Sequence, residues 1–207
     1  MFLKEDRSNL KSVLIQSNSN QRFPLPFTIL DVGGTVNFWK QMDFLSNPGI
    51  KITILNNEDP AEVFPGITII KGDARDLSMF SNNEFDTVFS NSVIEHVGDF
   101  YDQQRMANEI IRAGKRYFIQ TPNYYFPIEP HFLFPFFQFM PDVIKVFLLK
   151  HFDMGWYKKC KNTLEAKEII NSVNLLDLKK LKKLFKSGNI YKEKVLFLTK
   201  SFIIHHL

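Results

Sequence analysis

The sequence predicts an α/β protein built on a doubly wound, mostly parallel seven-stranded sheet with helices on both faces. Three observations carry this. Five short segments, TILDV (28–32), KITIL (51–55), ITII (67–70), FDTVFS (85–90) and RYFIQT (116–121), are mostly apolar on both faces, as strands covered on two sides are. Segments with helical spacing alternate with them, which calls for parallel strands joined by crossovers. Polar residues stand at each carboxyl end: Asp31, Asn56 and Asn57, Asp73, Ser90 to Ser92, and Thr121 to Asn123. Ligands of open α/β sheets bind outside those ends.

The elements follow in order. Residues 8–22 are polar and read as a short helix followed by a loop. After the first strand, Phe38, Trp39, Met42 and Leu45 recur at helical spacing, and Asn47-Pro48-Gly49 stops that helix. After the fourth, Asp99 is placed to cap a helix carrying Phe100, Met106, Ala107, Ile110 and Ile111 inward, with Gly114 ending it. Further on, Leu178, Leu181, Leu184 and Phe185 form one helical face among five lysines. IYKEKVLFL (190–198) and TKSFIIHH (199–206) read as two last strands, antiparallel because their connection is too short for a crossover.

A length of 207 residues with 44% hydrophobic content suits one domain over 1–207. Cys160 is the single cysteine, so no intrachain disulfide forms and a reducing cytoplasm is the expected compartment. The opening MFLKEDRSNLKSV mixes charges of both signs and reads as neither secretory signal nor transit peptide. Charge is unevenly placed: residues 1–149 carry a net −4 and residues 150–207 a net +8. Such a tail is a solvated face or a site for an anionic partner, such as lipid headgroups or a phosphorylated substrate.

The run FTILDVGG (27–34) ends a strand on a carboxylate and turns on Gly33 and Gly34. Glycine lets the backbone approach a ligand, and Asp31 can accept from that ligand's polar groups. A dinucleotide fingerprint would need glycines at Thr35 and Phe38, and no G-x-x-x-x-G-K-[ST] loop occurs, so neither nucleotide class fits.

Taken in order, ILDVGG, KGDARDL and FDTVFSNSVIEHV resemble the class I S-adenosylmethionine-dependent methyltransferases, which have a Rossmann-like fold, and in particular their type 11 and type 12 domains. The resemblance covers residues 27–123 and, more loosely, the last two strands. It implies S-adenosylmethionine as cofactor. It implies Asp31 near the methionine amino group, Gly33 and Gly34 beneath the carboxypropyl and ribose parts, and Asn56 at the ribose hydroxyls. It implies Asp73 and the backbone of Ala74 facing the adenine amino group, and Asn91 beside the cofactor. Two positions depart from the family pattern. The loop commonly reads acidic-x-Gly-x-Gly-x-Gly, and here Thr35 and Asn37 replace the second and third glycines. Asn56 stands where an acidic residue is usual, and Glu58 or Asp59 could compensate from the next turn.

Methyl transfer from a sulfonium needs alignment and desolvation, and a hydroxyl acceptor gains from a nearby base. His96 is the first candidate for that base, Glu95 a residue that orients a neighbour, and His131 a second candidate. Residues 124–162 are expected to form a substrate-lid insertion. Its aromatic stretch 124–149 contains four prolines with Asp142 and Lys145, which argue against a membrane span. That stretch reads as core packing, as a pocket for an apolar, lipid-linked or glycan acceptor, or, with the basic tail, as a peripheral membrane contact. Methyltransferases with a similar TPN-x-x-FPIEPH segment suggest bacterial surface-polysaccharide or secondary-metabolite modification. The expected reaction is O-methylation of a small molecule or glycan; a non-catalytic binding protein or partner subunit on the same fold is the alternative. Nucleic acid is not expected, because the half carrying the site is acidic and no N-P-P-Y or D-P-P-Y occurs. No metal set is indicated: His131 and His151 lack paired ligand spacing, and His205-His206 lie at the terminus.

Overall fold

The computed structural model describes residues 26–41, 49–57 and 64–206. The anticipated helix and loop over 8–22, Met42 and Leu45 of the first crossover, and Glu58 and Asp59 lie outside these.

All five early strands form: β1 (Phe27–Val32), β2 (Ile50–Asn56), β3 (Ile67–Lys71), β4 (Thr87–Asn91) and β5 (Tyr117–Pro122). Two two-residue strands, β6 (Ile128–Glu129) and β7 (Phe134–Pro135), pair separately, and β8 (Asn189–Val195) and β9 (Leu198–His206) close the chain. The main sheet is seven-stranded, in the order β3-β2-β1-β4-β5-β9-β8. β1 runs parallel to β2 on one side (Asp31 opposite Ile54) and to β4 on the other (Asp31 opposite Phe89). The strand order therefore reverses direction at β1, and the crevice outside the carboxyl ends there is where such sheets bind ligands.

The contacts divide the described residues into two compact units: those up to residue 91 with 108–119 and 205–206 form one, and residues 92–107 and 120–204 the other. In the first, β1 is buried at every position except Thr28, which fits a strand covered on both faces. The short helix α1 (Val36–Lys40) buries Trp39 completely. Trp39, Phe38, Phe89 and Phe118 form an aromatic chain with ring centroids 5.3 to 5.8 Å apart. Arg112 fastens the 77–82 loop, donating to the carbonyls of Leu77 (2.7 Å) and Phe80 (2.8 Å) while paired with Glu109.

The helix α2 (Phe100–Ala113) starts as the sequence predicts, with Asp99 Oδ1 accepting from the backbone N–H groups of Tyr101 and Asp102. Met106, Ala107, Ile110 and Ala113 are buried, but Ile111 is 40% exposed and does not face inward. It stands one residue, about 100°, round the helix from Ile110. The inward place one turn before Ala107 belongs to Gln103, whose amide donates to the Asn174 carbonyl at 2.8 Å.

In the second unit, residues 124–162 carry β6, β7, a 3₁₀ turn (Phe137–Phe139) and α3 (Asp142–His151), followed by α4 (Thr163–Asn171). They have a core of their own: Phe132, Phe137, Leu149, Met154, Cys160 and Ala166. Phe132 and Phe137 stack at 4.0 Å. α5 (Leu178–Leu184) buries Leu181 and Leu184, followed by buried Phe185. The final hairpin turns at Leu196-Phe197, two residues earlier than the sequence suggests, because both turn residues are apolar and carry no turn signal. Among the described residues no helix is long and apolar enough to cross a membrane.

Candidate active site

Asp31 is the fifth residue of β1 and is 1% exposed. Its Oδ2 accepts from the Trp39 indole Nε1–H at 2.6 Å, and Oδ1, equally buried, has no hydrogen-bond partner among the described residues. Burial pushes this carboxyl up to about 7, against the opposing pull of the indole hydrogen bond. Asp31 does not cap α1, whose first turn is preceded by Thr35 with no side-chain cap.

The turn after β1 is tight for a definite reason. Gly33 has φ +79°, and its N–H donates to the Leu55 carbonyl at 2.7 Å. At Gly34 an added Cβ would overlap the Asp31 carboxylate itself. Thr35 is extended (φ −132°) and Asn37 is helical, so neither position uses the backbone freedom that glycine provides. The two departures from the glycine pattern are therefore conformationally neutral.

Asn56 ends β2 and donates its amide to the Gly34 carbonyl at 3.0 Å, bracing the glycine turn from the neighbouring strand. Ser90, on β4, donates to the Val32 carbonyl at 2.9 Å. Together they pin the carboxyl end of β1 from both sides. Asn91, half-buried, ends β4. Asp73 is exposed in the turn after β3, with Ala74 half-buried beside it. Its carboxylate is clasped by Arg75, through the backbone N–H (2.8 Å), Nε (2.9 Å) and Nη2 (2.7 Å).

The second unit holds the acid–base candidates. Glu95 and His96 lie in a 3₁₀ turn, Ile94–His96. Glu95 is fully buried; Oε2 accepts from the Thr121 hydroxyl at 2.9 Å, and Oε1 has no hydrogen-bond partner among the described residues. Burial pushes its carboxyl up to about 7. The exposed His96 places Nδ1 at 3.1 Å from the Ser172 carbonyl, so Nδ1–H donates and Nε2 keeps its lone pair. Desolvation of the ring and the nearby His131 lower its pKa, which favours the neutral form.

His131 is 35 residues further along the chain, yet its ring meets that of His96 edge to face with centroids 4.7 Å apart. Its Nδ1 lies 2.7 Å from Glu129 Oε1, while Glu129 Oε2 accepts from the backbone N–H groups of His131 and Phe132, both at 2.7 Å. Burial pulls the His131 pKa down, but the Glu129 hydrogen bond and the charges of Glu129 and Glu95 carry it above the usual value. Sequence reasoning missed Glu129 and Trp39. Glu129 sits in an aromatic segment without a period, and Trp39 reads as a core residue on a helical face.

Comparison with known proteins agrees with this architecture. Residues 45–117 match the family described as Methyltransferase domain. An uncharacterised protein of Mycobacterium tuberculosis is 40% identical over 57 residues, which is 28% of this chain and 20% of the relative. This match thus spans a fifth of that relative's length. A SAM-dependent methyltransferase from Methanosarcina mazei superposes with TM-score 0.53 at 15% identity, over 92% of this chain and 95% of the other. One from Aquifex aeolicus gives 0.51 at 10% identity, over 94% and 87%. The chain thus carries a methyltransferase-domain signature over residues 45–117 and has the Rossmann-like fold of the class I S-adenosylmethionine-dependent methyltransferases.

Proposed function

We propose that this protein is an S-adenosylmethionine-dependent methyltransferase that modifies a hydroxyl of a small-molecule or glycan acceptor. The observation that carries the cofactor assignment is Asp31: a fully buried carboxylate at the carboxyl end of the central strand, with one oxygen lacking a partner among the described residues and a glycine turn folded over it. An ammonium group is the natural partner for that oxygen, because a buried carboxylate left half-satisfied is costly. The residues fit the cofactor's parts. Asp31 would hold the amino group, Gly33 and Gly34 lie where backbone must approach closely, Asn56 and Asn91 offer amides, and Asp73 with Ala74 suits adenine. When bound, the cofactor supplies an activated methyl group on a sulfonium.

The chain's own contribution is positioning and proton handling. The Ser172 carbonyl fixes the Nδ1 proton of His96, which leaves the His96 Nε2 lone pair to accept the acceptor's hydroxyl proton. Thr121 and the Asn174 N–H, which donates to the Glu95 carbonyl at 2.7 Å, hold the turn that carries His96. The aromatic faces of residues 124–149 suit an acceptor with sugar or apolar rings. Thr35 and Asn37 do not favour the non-catalytic alternative, because neither position needs glycine geometry; of the departures from the family pattern only Asn56 does.

Calorimetric titration with S-adenosylmethionine and S-adenosylhomocysteine tests the cofactor. Saturable binding is expected, and no heat or thermal shift at millimolar ligand would favour the non-catalytic reading. His96→Ala should lower turnover roughly 100-fold with little loss of cofactor affinity; unchanged turnover would remove His96 as the base.

A further inference from the structure

Glu95 and His96 are consecutive and His131 follows 35 residues later, yet one ligand atom from each lies within 4.8 Å of the others. We propose that these three residues form a binding site for a divalent transition-metal cation, which presents open coordination positions to an oxygen-donor acceptor.

Several independent features point this way. Both imidazoles have Nδ1 engaged by an oxygen: Ser172 carbonyl for His96 at 3.1 Å, Glu129 Oε1 for His131 at 2.7 Å. That arrangement fixes the proton on Nδ1 and turns the Nε2 lone pair outward, as metal-ligating histidines are normally held by their outer partners. The Glu129–His131 pair is a carboxylate behind an imidazole, and Glu129 is itself anchored by two backbone N–H groups. Glu95 is fully buried, its Oε2 is used by Thr121, and its Oε1 has no hydrogen-bond partner among the described residues. A buried carboxylate oxygen without a partner calls for a cation or a donor. Here the side chains gathered with it are two imidazoles.

The donor set decides the class of cation. Two imidazoles and one carboxylate suit manganese, iron, cobalt, nickel or zinc in the divalent state more than magnesium or calcium, which prefer oxygen alone. Three protein ligands leave one or more positions open. A hydroxyl or a pair of neighbouring hydroxyls would occupy them. With a cation bound, His96 Nε2 would be a ligand in place of a base, and the cation would acidify the bound hydroxyl, whose proton leaves to solvent. The metal site therefore replaces the proton-accepting role given to His96 and rests on the proposed function only for the acceptor. Metal binding itself stands apart from that reading.

The test uses untagged, full-length protein stripped with chelator and titrated with Co²⁺, whose visible spectrum reports imidazole coordination, and with Mn²⁺, followed by loss of the free-ion spin-resonance signal. One saturable cation per chain is expected. His131→Ala should abolish saturation, and Glu129→Gln should weaken binding by roughly 10- to 100-fold, as for an outer-shell partner. Glu95→Gln should weaken binding at least tenfold with an unchanged circular dichroism spectrum. A His205→Ala/His206→Ala double variant should bind as the parent does. Binding unchanged in His131→Ala, or lost only in the terminal double variant, would overturn the site, as would the absence of saturable binding in the folded parent protein. Cofactor calorimetry run alongside, with and without chelator, separates the outcomes: cofactor binding without metal binding sinks this site alone, and metal binding without cofactor binding sinks the methyltransferase reading alone.

Discussion

The Trp39 indole donates to one oxygen of the Asp31 carboxylate at 2.6 Å and leaves the other buried and without a hydrogen-bond partner among the described residues. A side chain in this state is half-prepared for a cation. The indole fixes the orientation of the carboxylate, and burial makes it hold its proton to about pH 7.

Cofactor binding should therefore be linked to protons. A ligand ammonium at Oδ1 favours the ionised carboxylate, so affinity rises with pH through about 7 and a proton is released on binding below that value. The ligand's own α-amino group loses its charge near pH 8, which bounds the optimum from above. Calorimetry in buffers of different ionisation enthalpy at pH 6 and pH 7.5 measures the release. Asp31→Ala should weaken binding by roughly 100-fold or more and abolish the linkage; near-normal affinity would contradict the assignment. The same carboxyl has a stability signature. Its folded pKa is raised from 3.8 to about 7, so the unfolded chain loses this proton first and stability falls between about pH 4 and pH 7. Asp31→Asn should flatten that fall, which amounts to about 4 kcal/mol at most.

Gly34→Ala should be destabilising by about 2–4 kcal/mol, because the new methyl must displace the Asp31 carboxylate from the indole and leave it buried without a donor. Urea unfolding measures this. In an Asp31→Gly background the obstacle is gone, so the same substitution should cost less than about 1 kcal/mol. Cofactor affinity should be lost in every one of these variants.

The placement of these candidate residues was legible in the sequence. An apolar strand ending on a carboxylate before two glycines put Asp31, Gly33 and Gly34 at the carboxyl end of a parallel strand, the end outside which such sheets bind ligands. Strand and helix order followed from periodicity. What was not legible depends on contacts between distant residues. Helical spacing marks Trp39 as core but does not show that its indole N–H meets Asp31. The meeting of His96 with His131 depends on how an aromatic, proline-rich segment with no period folds back. Arg75 lies two residues from Asp73, yet only turn geometry puts its guanidinium onto that carboxylate.

The closing hairpin offers a test of backbone strain away from the site. Leu196, the first of two residues connecting β8 to β9, has φ +56° and is 87% exposed. A leucine in the left-handed region costs about 1 kcal/mol relative to glycine, and this one recovers little by packing. Leu196→Gly should raise the unfolding free energy by about 1 kcal/mol without changing cofactor affinity; denaturant melts compare the two proteins.

Arg75 tests whether Asp73 serves adenine. The pair is a third to half exposed, so it contributes at most about 1 kcal/mol to stability, and Arg75→Ala should leave unfolding almost unchanged. Its effect on ligand binding should be larger. Both Asp73 oxygens now accept from Arg75, so an adenine amino group has to compete for the same lone pairs. Removing the guanidinium should tighten S-adenosylhomocysteine binding a few-fold, roughly 1 kcal/mol, whereas Asp73→Ala should weaken it roughly tenfold. In the Asp73→Ala background, Arg75→Ala should have no further effect, since the two residues act through one carboxylate. Weaker binding in Arg75→Ala would mean that the guanidinium orients Asp73 for the nucleoside. Equal binding in all four proteins would take Asp73 out of the adenine site.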